Sequence, residues 1–139
     1  MRFMVIVKAD KNSEAGVLPD ENLLVSMGKF NDELIKADML LAAEGLHPSS
    51  KGVRIRLLAD DKPVVIDGPF IGEAGLIAGF WLIQAKTKEE VIAWFTRCPS
   101  DVGEIEIRQV FEAEDFDPVI TTDAGRAAME AEQAFRKPG

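Results

Sequence analysis

The chain has a single cysteine, Cys98, so no disulfide can form within it, and a lone thiol fits a reducing compartment. Histidine is equally scarce, with His47 standing alone. One histidine and one cysteine cannot build a zinc site of the usual kinds, so no metal is expected. Bases are in short supply, with 16 Lys and Arg against 24 Asp and Glu and a net charge of -8. That balance argues against nucleic acid, whose phosphates call for a basic footprint, and disfavours an anionic membrane surface. Long hydrophobic runs are missing too. The longest uncharged run, residues 74–85, is twelve residues and too short to span a bilayer. Only five apolar residues, 3–7, precede Lys8, fewer than the core of a signal peptide requires. There is no P-loop, no GxGxxG and no GxSxG, so the common phosphate, dinucleotide and serine-hydrolase motifs are absent. The expectation is a cytoplasmic protein that uses no cofactor.

What is present suits one domain. A chain of 139 residues, 47% hydrophobic and 29% charged, is long enough to bury a real core. It is organised around Asp67-Gly68-Pro69-Phe70 and the apolar run that follows. Asp-Gly-Pro is a turn signal, because glycine reaches backbone conformations closed to other residues and proline fixes φ and bars a helix. Residues 76–83 are then apolar at every position, so a strand there is buried on both faces. The rest of the chain must supply two covers for it.

Residues 3–7 read as another strand apolar on both faces. After a polar loop, Leu23, Met27, Phe30, Leu34, Ala37 and Leu41 draw one stripe down a helix that Asp20 caps and Gly45 closes. Residues 53–57 alternate as a half-exposed or edge strand should, a turn follows at 60–62, and residues 64–66 return to the Asp-Gly-Pro turn. Thr87 and Glu90 match a capping box, opening a helix with Val91, Trp94, Phe95 and Cys98 on one face. Residues 104–108 alternate as the last strand. The order is β-α-β-β-α-β, an α+β ferredoxin-like pattern with both helices on one face of an antiparallel sheet. That domain is expected over residues 1–112. Residues 113–139 form an acidic C-terminal extension with a short helix, since 109–125 hold five acids and no base.

The Asp67-Gly68-Pro69-Phe70 turn, the apolar strand after it and the helix ending at Arg97-Cys98-Pro99 resemble the YCII-related (DGPF-domain) family. The resemblance implies a ferredoxin-like sandwich whose sheets pair into a dimeric α/β barrel. It also implies a His–Asp pair as active site, which falls on His47 and Asp67. The loop after the turn departs from the family's acidic–x–lysine–acidic run, because residues 71–75 hold one carboxylate, Glu73, and no lysine.

The residues point the same way. Two helices cover one sheet face, and a second copy would cover the other, so a homodimer is expected. A histidine beside a carboxylate can move protons near neutral pH, which suits His47 and Asp67; the plainer reading makes Asp67 a cap of its own turn and His47 a loop residue. Arg54 and Arg56 alternate on one strand and, with Glu73, are the candidate ligand contacts, although charges also protect edge strands. Trp81 and Phe80 must lie on opposite faces, both as packing residues, and Cys98 also reads as packing. Two function classes follow. One is a cofactor-free enzyme in which His47 and Asp67 transfer protons on a small organic substrate. The other is a non-catalytic ligand-binding or regulatory dimer. Fold alone does not choose between them.

Overall fold

Strand β1, Arg2–Lys8, buries Phe3 and Val5 completely and turns Met4 and Ile6 to the other face, where they are half-buried. It lies at the middle of the sheet, as its two apolar faces require. The computed structural model describes residues 1–57, 59–60, 62–72, 75–100 and 103–136. A short helix α1, Lys11–Glu14, and a loop lead to α2, Glu21–Lys36. The Leu23 amide donates to the Asp20 carboxylate at 2.8 Å, so Asp20 is the N-cap the sequence suggests.

The far end of this helix differs from expectation. α2 stops at Lys36, and Asp38 takes the left-handed conformation with φ +59°. The chain then re-enters the sheet as β2, Leu40–Gly45. The stripe that continues through Ala37 and Leu41 is therefore not one helix, and Gly45 closes a strand. Tertiary pairing overrides helical spacing here, because the doubly apolar β5, Ile77–Gln84, needs a neighbour on each side. β2 is one neighbour and β1 the other.

With β6, Ile105–Gln109, the sheet order is β2-β5-β1-β6, every pair antiparallel. This is the strand order of a ferredoxin-like sandwich, so the α+β reading stands. The alternating segment at residues 53–57 does form a strand, β3 (Val53–Arg56). Among the described residues it pairs only with β4, Val64–Asp67, in a separate two-stranded sheet. Alternation reveals a strand but not its partner.

Helix α3, Lys88–Phe95, packs beside α2 on one sheet face. The Glu90 amide donates to Thr87 Oγ1 at 3.2 Å, and the Lys86 amide donates to the Glu90 carboxylate at 3.2 Å, one residue earlier than a strict capping box. Phe30, Trp81 and Phe95 meet edge-to-face, with centroids 5.1–6.4 Å apart, and close the core with Leu34, Ile83 and Val91. On the opposite face the register brings Met4 and Ala42 beside Leu82, and Ile6 beside Phe80. None of these five is fully buried. After β6, the Arg2 guanidinium binds the Glu112 carboxylate at 2.8 Å, and a 3-10 turn over Ala113–Val119 leads to α4, Asp123–Arg136. α4 buries no residue. Among the described residues no helix is long and apolar enough to cross a membrane.

Candidate functional site

Three chain segments converge at one end of the sheet because a single hydroxyl joins them. Ser49 follows β2 in a 3-10 turn, Ser49–Lys51. Its Oγ donates to the Glu14 carboxylate at 2.5 Å, and its amide donates to the same carboxylate at 3.0 Å. The Phe70 amide donates to Ser49 Oγ at 3.0 Å. The two bonds from Ser49 hold the Glu14 carboxyl below its ordinary value, the Ser49 hydroxyl contributing more than the Ser49 amide. The α1 loop, the connector after β2 and the Asp67–Phe70 turn are thus tied at one point. Gly68 is pressed so close that a Cβ would lie 1.7 Å from the Ser49 carbonyl oxygen. The turn therefore needs glycine because the neighbouring backbone occupies the side-chain position.

Beside this junction a cavity of about 830 Å³ opens between α2, the α1 loop and the ends of β1, β2 and β5. Met27, Ala43, Phe80 and Trp81 supply apolar wall. The volume falls in the range of small-molecule sites. Its polar lining is sparse: Ser13, Asn31, Glu44, His47 and Lys51. The Trp81 indole N–H donates to Asn31 Oδ1 at 2.8 Å, which fixes the amide with its nitrogen left over. His47 is exposed and Glu44 lies three residues before it, so an imidazole and a carboxylate share the lining.

The other candidates lie elsewhere. Asp67 is exposed at the end of β4 and absent from the cavity lining, and its carboxylate takes no hydrogen bond among the described residues. No hydrogen bond joins it to His47. The turn is held instead by the Gly68 amide donating to the Gly52 carbonyl at 2.9 Å. The Arg54 guanidinium stacks 3.9 Å above the Phe70 ring and so braces that same turn. Arg56 is exposed and forms no ion pair among the described residues. Glu73 lies outside the described residues. Phe80 and Trp81 take opposite faces, and both also reach the cavity. Cys98 is half-buried at the end of α3, and burial pushes its thiol up to about 11. Among the described residues no group of three His, Cys, Asp or Glu side chains could hold a metal ion.

Glu44, Lys51 and Asn31 carry no motif. One signal was available for Asn31. It stands four residues after Met27 and three before Leu34, a polar side chain on the buried stripe of a helix. Glu44 and Lys51 reach the cavity because β2 joins the sheet and the 3-10 turn follows it.

No curated protein matches the sequence. One solved structure that does match is 5-chloro-2-hydroxyhydroquinone dehydrochlorinase from Burkholderia phenoliruptrix AC1100, in complex with 2,5-dihydroxybenzoquinone. It is 9% identical, the match covers 83% of this chain and 98% of that one, and the TM-score is 0.48. Residues 1–114 match the model of the YCII-related domain, and the chain belongs to that family.

Proposed function

We propose that the protein is a small cofactor-free enzyme that binds a small organic molecule in the cavity beside Ser49 and transfers a proton through His47. The observation that carries this reading is the lone histidine on the wall of an apolar cavity of about 830 Å³. An imidazole gives and takes protons near neutrality, and apolar walls strengthen whatever polar contact the substrate makes. Glu44 is a carboxylate on the same lining, and no hydrogen bond or ion pair joins it to His47 among the described residues. Asp67 and Arg54 act at one remove, through the turn that Ser49 anchors, and Arg56 and Glu73 have no assigned part in proton transfer.

The same reading includes the homodimer. Met4, Ile6, Phe80 and Leu82 form a half-buried apolar sheet face opposite the core that α2 and α3 close. A second sheet packed against it would make a dimeric barrel, with residues 1–112 as the domain and 113–139 as its extension.

The test begins with compounds that co-purify with the protein, identified by mass spectrometry after denaturation. His47→Gln is expected to retain their binding and lower turnover by about 10²–10⁴-fold, the usual contribution of a general acid–base. Turnover that survives His47→Gln would overturn proton transfer at this ring. The sparse polar lining favours a second reading, a non-catalytic binding dimer, which requires bound ligand without turnover in the wild type.

A further inference from the structure

The polar groups around the cavity are unequal in kind. Lys51 and Asn31 offer N–H donors, whereas Glu44 is the one carboxylate on the lining among the described residues. Among the described residues neither Lys51 nor Glu44 forms an ion pair. Asn31 uses its oxygen to accept from Trp81, and its nitrogen donates to no protein group among the described residues. No buried side-chain nitrogen or oxygen lacks a partner among the described residues, so that amide nitrogen remains accessible. The register sets Glu44 opposite Phe80, on the sheet face away from α2, whereas Asn31 and Trp81 are on the α2 side. The Asn31 donor and the Glu44 carboxylate therefore occupy different walls, and Lys51 lies at the opening, on the connector after β2.

From this distribution we infer that the ligand is a hydrophobic organic anion. Its apolar body lies on Met27, Ala43 and Trp81, its anionic group pairs with Lys51, and an acceptor oxygen takes the free N–H of Asn31. This rests on the cavity being a ligand site, and it adds the charge of the ligand. A protein of net charge -8 repels anions as a whole. An unpaired lysine at an apolar opening is a local exception that selects for one. Glu44 works in the opposite sense and keeps the anionic group away from its own wall.

Two fluorescent probes with the same ring system separate charge from apolar contact: anilinonaphthalene sulfonate, an anion, and N-phenylnaphthylamine, its uncharged counterpart. Binding within the cavity is recognised by a shift of the Trp81 indole N–H signal in NMR. The chain has only two tryptophans, and Trp94→Phe assigns the signal. Both probes are expected to shift it. Lys51→Met should weaken the sulfonate by about tenfold, the effect of losing one charge-assisted contact at an open mouth, and leave the amine within about twofold. Glu44→Gln should tighten the sulfonate alone.

Equal weakening of both probes by Lys51→Met, or of neither, overturns the anion assignment and leaves the cavity as a ligand site. If neither probe moves the Trp81 signal, the cavity does not bind such ligands, and the enzyme reading falls with the anion assignment.

Discussion

Two glycines show how far a single side chain's worth of space decides stability. At Gly68 an added Cβ would meet the Ser49 carbonyl oxygen at 1.7 Å, so backbone must move to admit it. Gly68→Ala is expected to cost at least ~2 kcal/mol, read as a lowered thermal midpoint. Gly28 lies within α2 with nothing within 4 Å of its Cβ position. Gly28→Ala should therefore stabilise by about 0.5–1 kcal/mol, because alanine gives up less backbone entropy in a helix. The Asp-Gly-Pro signal made a turn at residues 67–69 legible in the sequence. The reason for its glycine was not, because Ser49 approaches from 19 positions earlier in the chain. Ser49 also sets a pH dependence. The folded-state pKa of Glu14 lies below its ordinary value of 4.5. The stability this linkage gives is full above that value and is lost as pH falls through the folded pKa. In Ser49→Ala the larger of the two lowering bonds is gone, so its melting temperature should fall less steeply with acid than that of the parent. Parallel acid limbs in thermal scans of the two proteins would show that the Ser49 hydroxyl is not responsible.

Among the elements, local pattern identified segments well and their ends less well. The doubly apolar strands β1 and β5, the N-cap of α2 and the start of α3 were all legible from spacing and capping residues. The boundary between α2 and β2 was not. Ala37 and Leu41 continue the helical interval of four, while residues 39–43 are apolar throughout and suit a buried strand equally well. The sheet decides, since β5 must be paired along both edges. Asp38 makes the break by accepting φ +59°, a conformation in which aspartate is tolerated and glycine is unstrained. Asp38→Gly is expected to leave the melting temperature unchanged or raise it, and Asp38→Val to lower it by several degrees. A harmless valine would mean that the turn can re-form in another conformation. Glu44 belongs to this boundary too. Read as part of a helix's last turn it has no chemistry, whereas at the end of β2 it lines the cavity.

For the whole molecule, the half-buried sheet face opposite α2 and α3 is the feature with most consequence. Light scattering at micromolar concentration should give twice the 15.2 kDa chain mass. Leu82→Glu, placing a charge at the centre of that face, should return the mass to one chain without unfolding it. A wild-type monomer would rule out the paired sheets, and the half-buried Met4, Ile6 and Phe80 would then need another cover. The thiol of Cys98 offers a different use of the same fold. Alkylating reagents attack the thiolate, and a group pushed up to about 11 by burial has little thiolate at neutral pH. Labelling is therefore expected to be slow while the turn after α3 is closed and faster when it opens and frees the thiol. The rate at which iodoacetamide marks the unmodified chain becomes a clock for that opening. Since the same helix packs Val91 and Phe95 into the core, the clock should slow whenever the cavity is filled or the second sheet is in place.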